Sequence, residues 1–332
     1  MAGEDRFVRR LLAELPPSSR VLLGPGDDAA VVEADGTWVV TTDMLVEGVD
    51  FLPGEGPEAI GRRAMAVNLS DLAAMGARPE FFLLSVGFPA ARGETYPLSI
   101  VRGALSRATP LSAALAGGDL SHAPMTVVSV ALWGRPEKEP IRRSGARAGD
   151  ALFLSGHPGR AAAGLRLARA RAEGRPAARN LSAAAEAELL AAYLDPEPRV
   201  ALGLKLARED DATAAIDVSD GLGIDAGRLA EASGVRLVLD AERIPIAPAL
   251  ADFARLESLD PLDLALAGGD DYELLFTVPA ERADRIPAEG PDGEALSRVG
   301  RAEDGRGAAI RTEAGDREVA GLGHDHLRAA AP

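Results

Sequence analysis

Short apolar runs typical of β-strands alternate with helical segments along most of the chain, so the fold must combine sheets with helices. The apolar patterns predict strands at residues 21–23, 30–32, 38–42, 80–87, 125–133, 151–155, 213–218, 235–239 and 272–278. They predict helices at residues 4–15, 57–76, 94–115, 159–173, 183–194, 198–208, 224–233 and 261–267. The last part of the chain is weakly patterned. This order of elements predicts an α/β protein with mixed, α+β-type sheets.

The chain has 332 residues, enough for about two domains that each bury a core. Residues 135–149 (RPEKEPIRRSGARAG) are polar and charged and include two prolines, which is typical of a domain junction. We therefore expect an N-terminal α/β domain over residues 1–137 and a C-terminal α/β domain over residues 138–332.

Composition excludes several classes of function. The chain has no cysteine, which removes disulfide scaffolds, thiolate metal sites and cysteine nucleophiles. Its two lysines, Lys138 and Lys205, do not follow a glycine-rich loop, so there is no Walker P-loop. A net charge of −15 argues against a nucleic-acid partner. No apolar run approaches the roughly 20 residues that cross a bilayer, and the first residues lack the apolar core of a signal peptide, so we expect no membrane association and a cytoplasmic location.

Aspartates recur beside glycine, serine or threonine, and we expect them at strand ends or in loops. The segments are Gly26-Asp27-Asp28, Thr41-Thr42-Asp43, Asn68-Leu69-Ser70-Asp71, Gly117-Gly118-Asp119, Asp217-Val218-Ser219-Asp220-Gly221 and Gly268-Gly269-Asp270-Asp271. One such segment alone is more often an ordinary turn. Because there are six, we interpret them as parts of a functional cleft.

Carboxylates that meet in one cleft repel each other unless a cation lies among them. Mg²⁺ prefers oxygen ligands, takes one or two carboxylates and completes its shell with water and substrate phosphates. Neighbouring glycines let the backbone approach phosphate oxygens. The pattern therefore suits binding of a magnesium–nucleotide complex without a P-loop. Arg142, Arg143 and Arg147 could contact phosphates directly, or form a solvated linker cluster.

Seven blocks of sequence, in order and spread over most of the chain, resemble the thiamine-monophosphate kinase family of the aminoimidazole ribonucleotide synthetase superfamily. The blocks are GPGDDAAVV (24–32), TTDMLVEGVDF (41–51), AVNLSDLAAMGARP (66–79), AGGDLS (116–121), RRSGARAGD (142–150), AIDVSDGL (215–222) and GGDDYELLFTVP (268–279). The resemblance implies a two-domain aminoimidazole ribonucleotide synthetase-like fold and a homodimer formed by N-terminal strands. It implies transfer of the γ-phosphoryl group of ATP directly to thiamine phosphate, giving thiamine diphosphate, with several Mg²⁺ ions.

The resemblance also implies roles for individual residues. The positions that would hold Mg²⁺ are Asp28, Thr41, Thr42, Asp43, Asp71, Asp119, Asp217 and Asp220, of which Asp43, Asp217 and Asp220 would be catalytic. The positions that would contact ATP are Gly118, Asp119, Arg143 and Ser219. The positions that would contact thiamine phosphate are Asp50, Asp270 and His324.

The three acceptor positions depart from the family pattern, while the metal and nucleotide blocks match it. The family usually has histidine where this chain has Asp50, glutamate where it has Asp270 and an aromatic residue where it has His324. An alternative is therefore a related Mg-ATP-dependent kinase or synthetase that acts on another small acceptor.

Two other classes remain alternatives. Gly221, Gly223 and Gly227 between two predicted strands imitate a dinucleotide-binding oxidoreductase, although Asp217 and Asp220 would repel a pyrophosphate. The chain could also be a non-catalytic module that binds Mg²⁺ or nucleotide. Within the superfamily, selenophosphate synthetase and the hydrogenase maturation dehydratase commonly rely on cysteines, which this chain lacks.

Overall fold

The computed structural model describes residues 14, 21–23, 31–32 and 35–324. The predicted helix 4–15, apart from Glu14, and the predicted metal ligand Asp28 lie outside the described residues. The chain divides into two compact units. The N-terminal unit ends at Glu137, and the C-terminal unit begins at Lys138 and also includes Ala73–Gly76. Each unit combines strands with helices, so the expected two-domain mixed α/β architecture is confirmed.

The N-terminal unit has six described strands and two described α-helices. The strands are β1 (Val21–Leu23), β2 (Val31–Val32), β3 (Val39–Val46), β4 (Ala77–Phe88), β5 (Ala114–His122) and β6 (Val127–Pro136). The helices are α1 (Pro57–Ala74) and α2 (Thr95–Ala108), with short 3-10 helices at Ala90–Arg92 and Thr109–Leu111. Strands β1 and β2 pair with each other, and the other four form a sheet in the order β3-β6-β4-β5.

The four-stranded sheet has one face covered by helices and one face that is more open. Paired residues of neighbouring strands point to the same side of a sheet, and successive residues alternate. One row on the helix-covered face is Asp43, Val130, Leu84 and Gly118. The next row, on the open face, is Met44, Ser129, Ser85 and Asp119. Val130 and Leu84 are buried, whereas Met44 on the open face is 58% exposed.

The described part of the C-terminal unit, which ends at His324, has seven strands and six α-helices. The strands are β7 (Ala151–Ser155), β8 (Ala214–Val218), β9 (Arg236–Asp240), β10 (Glu273–Val278), β11 (Leu296–Glu303), β12 (Gly307–Thr312) and β13 (Gly315–Glu318). The α-helices are α3 (Arg160–Ala172), α4 (Ala183–Leu194), α5 (Val200–Glu209), α6 (Leu222–Ser233), α7 (Pro248–Glu257) and α8 (Pro261–Ala267), and 3-10 helices occur at Ala241–Arg243 and Ala280–Arg285.

The C-terminal strands form one sheet in the order β13-β12-β9-β11-β7-β10-β8. Only β9 and β12 pair in parallel; the other neighbours are antiparallel. Helix α6 packs its apolar side, including Leu222, Ala226 and Leu229, into a core shared with Leu237 and Ile310 of the sheet. A second apolar cluster joins α3, α4, α7 and α8. Among the described residues, no helix has both the length and the apolarity to span a membrane.

The structure shortens one predicted helix and adds elements that the sequence did not predict. The helix predicted over 94–115 ends at Ala108, and residues from Ala114 onward form β5, because Phe81 and its neighbours in β4 supply a paired strand there. Helix α7 was not predicted, although Pro248 at its first turn and the spacing of Leu250, Phe253 and Ala254 are helix signals. Strands β11–β13 lie in the weakly patterned region, where pairing rather than local sequence decides the conformation.

Candidate functional site

In the N-terminal unit, β3 and α1 bring polar groups together on the helix-covered face. Thr41 and Asp43 are two residues apart on β3, and Asn68 and Asp71 are three apart on α1, so each pair shares one side of its element. The Thr41 hydroxyl donates a hydrogen bond to Asp71 Oδ2. The Asp43 amide donates to Asn68 Oδ1 over 3.0 Å. Asp43 and Asp71 therefore belong to one oxygen-rich cluster.

Thr42 and Asp119 do not join that cluster. Both side chains lie on the open face of the sheet by strand alternation, and the Thr42 hydroxyl donates to the Val130 carbonyl over 2.9 Å. Asp119 and the adjacent Gly118 are exposed on β5, three strands from β3, or about 14 Å along the sheet. A Cβ at Gly118 would overlap the Leu84 carbonyl, which requires glycine there.

The expectation that the aspartates lie at strand ends or in loops is wrong for three of them. Asp43 is inside β3, Asp71 is inside α1 and Asp119 is inside β5. The glycines before Asp119 do not break the strand because β4 pairs with it in parallel across Gly117 and Gly118. For Asp217, Asp220 and Asp270 the expectation holds, since they lie in or next to the connections that follow β8 and precede β10.

Asp50, which is predicted to contact the phosphoryl acceptor, stabilises the turn in which it lies. Its Oδ2 accepts a hydrogen bond of 2.8 Å from the Val46 amide, and its amide donates to the Val46 carbonyl. The same turn is anchored by Glu47, which accepts from the Thr126 amide and from Arg92. Burial alone would raise the pKa of Glu47, but these hydrogen bonds and the Arg92 charge hold it below its usual value. One oxygen of Asp50 is thus committed to the fold.

In the C-terminal unit, the connection from β8 to α6 carries Ser219 and Asp220 and follows Asp217, which lies within β8 and is 3% exposed. The main chain of this connection is organised by Asp225, a residue in the first turn of α6 that the sequence reasoning missed. Asp225 Oδ2 accepts hydrogen bonds of 3.0–3.2 Å from the amides of Ser219, Asp220 and Gly221. Desolvation raises the pKa of Asp225 despite these bonds and the neighbouring Arg228.

Arg228, one turn further along α6, joins the two carboxylates. Its Nη1 donates to Asp220 Oδ2 over 2.5 Å and to Asp225 Oδ1 over 2.7 Å. Because Asp225 already occupies the amides of Ser219, Asp220 and Gly221 just before α6, these three amides are not available to a pyrophosphate. The geometry therefore disfavours a dinucleotide site here. What the connection offers a ligand is the Ser219 hydroxyl and the carboxylate of Asp220.

Two of the residues predicted to contact the phosphoryl acceptor, Asp270 and His324, contact this same connection through their main chains. The Asp270 amide donates to the Ser219 carbonyl over 2.7 Å, and the His324 amide donates to the Asp220 carbonyl over 2.8 Å. A Cβ at Gly269 would lie 2.8 Å from the Ser219 carbonyl, so the glycine permits the close approach. Asp270 Oδ1 accepts from the Tyr272 hydroxyl over 2.9 Å. The structure thus brings Ser219, Asp220, Asp270 and His324 together.

Arg143, predicted to contact ATP, precedes this group in the chain. Its carbonyl accepts from Ser233 Oγ over 2.7 Å at the end of α6, and its side chain is exposed. The adjacent Arg142 carbonyl accepts from the Ala215 amide of β8. The segment is therefore fixed by its main chain, while the guanidinium of Arg143 faces solvent.

The sequence also did not predict a network of charged side chains around Asp271 and Glu273, which follow Asp270 in the chain. Glu273 is 1% exposed and accepts from Ser155 Oγ and from both Nε and Nη2 of Arg199 at 2.6–2.7 Å. Asp271 accepts from the amides of Gly159 (2.6 Å) and Ala161 (3.3 Å). Part of this network lines a cavity of about 220 Å³. Desolvation raises the pKa of Asp271 to about 8, and burial lowers the pKa of the neighbouring His157.

The raised pKa of Asp271 makes stability depend on pH in a defined direction. The folded protein binds this proton more tightly than the unfolded chain, so the stabilisation is complete below pH 3.8 and is lost as the pH rises through about 8. We expect the melting temperature of the wild type to fall between pH 5 and 8.5 by more than that of Asp271→Asn, which cannot titrate. Calorimetry at several pH values measures both slopes, and equal slopes would contradict this assignment.

The donor atoms fit a hard divalent cation. The N-terminal cluster offers carboxylate and hydroxyl oxygens from Asp43, Asp71 and Thr41, and the connection after β8 offers those of Asp220 and Ser219, with no sulfur in either. Within the described part of the chain, no three His, Asp or Glu side chains form a complete metal cage. Mg²⁺ does not need one, since it keeps several waters and binds through one or two carboxylates plus phosphates.

Comparison with known proteins identifies the family. Residues 26–135 match the model of the AIR synthase related protein N-terminal domain, and residues 147–313 match the model of the C-terminal domain. A curated thiamine-monophosphate kinase from Rhodopirellula baltica is 36% identical over 311 residues, covering 90% of this chain and 89% of that protein.

Solved structures agree with the sequence match. The crystal structure of thiamine-monophosphate kinase from Stenotrophomonas maltophilia superposes with a TM-score of 0.79 and 39% identity, covering 92% of this chain and 94% of that one. The structure of AaThiL complexed with AMPPCP and TMP superposes with a TM-score of 0.74 and 31% identity, covering 94% of each chain. With its two matched domains and these full-length relatives, the chain belongs to the thiamine-monophosphate kinase family of AIR synthase related proteins.

Proposed function

We propose that this protein transfers the γ-phosphoryl group of ATP to thiamine phosphate, forming thiamine diphosphate and ADP, with Mg²⁺ as the metal. The observation that carries the proposal is the similarity over 94% of the chain to a protein solved with AMPPCP and TMP together. The oxygen ligands of both units support the metal, because carboxylate and hydroxyl oxygens suit hard divalent cations such as Mg²⁺.

The residue roles follow from the sequence blocks and are supported by the contacts in each unit. The proposed Mg²⁺ ligands are Asp28, Thr41, Thr42, Asp43, Asp71, Asp119, Asp217 and Asp220. Gly118, Asp119, Arg143 and Ser219 contact ATP in this proposal. Thr42 and Asp119 lie on the open face of the N-terminal sheet, whereas Asp43 and Asp71 lie on its helix-covered face. In one chain the two pairs would therefore bind ligands at different places.

The chemistry requires little covalent work from the protein. Phosphoryl transfer passes through a loose transition state, so positioning and neutralisation of charge supply most of the catalysis. The Mg²⁺ ions, when bound, neutralise the ATP phosphates and the acceptor phosphate. Thiamine phosphate already carries an ionised phosphate oxygen, so the reaction needs no general base. The carboxylates of Asp43, Asp217 and Asp220 fix the cations, and Ser219 orients the nucleotide.

The residues proposed to contact the phosphoryl acceptor leave open a substrate other than thiamine phosphate. Asp50 already accepts the Val46 amide with one carboxylate oxygen, which restricts how this side chain can turn toward a ligand. Asp270 and His324 replace a longer carboxylate and a larger ring of the family pattern. A related small phosphate could therefore be the preferred acceptor, with the same ATP and Mg²⁺ chemistry.

Coupled ADP release measures the choice of acceptor. We expect ADP release with thiamine phosphate at a rate at least 10-fold above that with thiamine, with other small phosphates or with no acceptor. Release of ADP with another phosphate but not with thiamine phosphate would mean that Asp50, Asp270 and His324 redefine the substrate. No release with any acceptor would favour a non-catalytic binding module.

We further infer that two copies associate through the open face of the N-terminal sheet. Val40, Met44 and Leu83 on this face are 55%, 58% and 36% exposed. Large apolar side chains exposed on one sheet face are costly to leave in water and are typical of an interface. Asp119 lies on the same face, so in such a homodimer it lies at or near the interface.

Sedimentation velocity tests the dimer. We expect the wild type to sediment as a dimer and Met44→Glu to sediment as a monomer, because the new charge would be buried unpaired. Met125→Glu is the matched control, since Met125 is 44% exposed but precedes β6 and is outside the sheet. A monomeric wild type, or a dimeric Met44→Glu, would contradict the assignment of this face.

A further inference from the structure

The turn that carries Asp270 is held in an unfavourable backbone conformation. Asp270 has a φ of 68° and Tyr272 a φ of 51°, both in the left-handed region. Side chains other than glycine enter this region only at a cost, and bulky ones least readily. Such residues persist where surrounding contacts impose the conformation, which is common at functional sites. A specific contact must therefore hold this turn.

Asp271, between these two residues, makes that contact. Its carboxyl group accepts hydrogen bonds from the amides of Gly159 and Ala161 at the first turn of α3. The main chain of the turn is also fixed on its other side, because the amides of Asp270 and Tyr272 donate to the carbonyls of Ser219 and Val218 at 2.7 and 2.8 Å. The turn is thus clamped between α3 and the connection that follows β8.

The start of α3 is a rigid anchor for this clamp. Gly159 packs so closely on α8 that a Cβ there would lie 2.8 Å from the Ala265 amide nitrogen. Helix α8 ends at Ala267 and the chain then enters the turn directly. Helix α3, helix α8 and the turn therefore form a closed loop of contacts that Asp271 completes.

We propose that Asp271 is a positioning residue for the acceptor, which acts by binding the start of α3 and thereby holding Asp270 beside Ser219 and Asp220. The acceptor role of Asp270 rests on the proposed function, whereas the clamp rests on the contacts above. Tyr272 supports the same geometry, because its hydroxyl donates to Asp270 Oδ1. Asp271 acts through Asp270.

The first test separates acceptor binding from nucleotide binding. We expect Asp271→Ala to raise the KM for thiamine phosphate at least 10-fold, with the KM for ATP changed less than twofold. Asp271→Asn keeps an acceptor oxygen and should restore most of the wild-type KM. The matched control is Ser182→Ala, which removes the cap of α4, where Ser182 accepts from the Ala185 amide, and should change neither KM by more than twofold.

A double variant shows whether Asp271 acts through Asp270. If it does, adding Asp271→Ala to Asp270→Ala leaves the acceptor KM within twofold of that of Asp270→Ala alone. Additive losses, or equal increases in both KM values in Asp271→Ala, would overturn the positioning role.

A measurement without turnover keeps the inference separate from the proposed function. Hydrogen–deuterium exchange should be at least 10-fold faster over residues 268–272 in Asp271→Ala than in the wild type, and unchanged there in Ser182→Ala. Unchanged exchange in Asp271→Ala would overturn the clamp. If the wild type does not use thiamine phosphate, the proposed function fails, and this exchange experiment still decides whether Asp271 holds the turn.

Discussion

Replacement of Asp220 by asparagine is expected to lower kcat at least 100-fold while the protein stays folded. The substitution removes a negative charge from the connection between β8 and α6, where the proposed cation must be held. The fold tolerates it because Arg228 keeps Asp225 as a partner and because the Asp220–Arg228 pair is partly exposed, so its loss costs less than about 1 kcal/mol. A steady-state assay and a urea titration of the purified variant measure the two effects.

Asp240→Asn is the matched control for this experiment. Asp240, at the end of β9 in the same unit, also lies beside an arginine, with 3.6 Å between its Oδ2 and Arg243 Nε, but it belongs to neither cluster. We expect this variant to keep wild-type turnover. Near-normal activity of Asp220→Asn would refute the role of Asp220 as a metal ligand, and equal losses in the two variants would show that the effect is not local.

Replacement of Asp225 by alanine is expected to give the largest loss of stability. Three main-chain amides would lose their acceptor, a carboxyl group that is 1% exposed, and Arg228 would lose one of its two carboxylate partners. Leaving buried amides without an acceptor costs about 1–3 kcal/mol, whereas Arg228, which is 37% exposed, keeps Asp220 as a partner. We expect the free energy of unfolding to fall by about that amount, measured by urea titration.

The chain offers a pair with the same spacing in an exposed setting. Asp252 and Arg255 on α7 are three residues apart, as are Asp225 and Arg228, and their side chains are 56% and 69% exposed. Asp252→Ala should therefore cost less than about 0.5 kcal/mol. Similar losses for Asp225→Ala and Asp252→Ala would mean that Asp225 does not organise the connection.

Much of the architecture could be predicted because local sequence patterns determine many of its strands and helices. Apolar runs in strands such as β7 and β8 and the start and stop signals of α1 are decided within a few residues. The resemblance of seven ordered blocks then gave the family, which the comparisons confirm. Strands β11–β13 could not be predicted, since their sequences become strands only through pairing with β9 and with each other.

The site could be predicted as a set of residues but not as an arrangement. That Asp43 and Asp119 lie on opposite faces depends on the register of four strands, which no short motif encodes. The role of Asp225 depends on three amides that turn toward it only after the chain has folded. Asp271 lies within one of the seven sequence blocks, but its hydrogen-bond partners at the start of α3 are more than 100 residues away in the chain.

Formation of thiamine diphosphate by the purified wild-type protein is the most direct test of the proposed reaction. Incubation with ATP and thiamine phosphate should yield equal amounts of thiamine diphosphate and ADP when Mg²⁺ is present, and neither product when Mg²⁺ is removed with EDTA. Separation of the products by chromatography quantifies both. Absence of thiamine diphosphate at saturating substrates, or its undiminished formation in EDTA, would contradict the account.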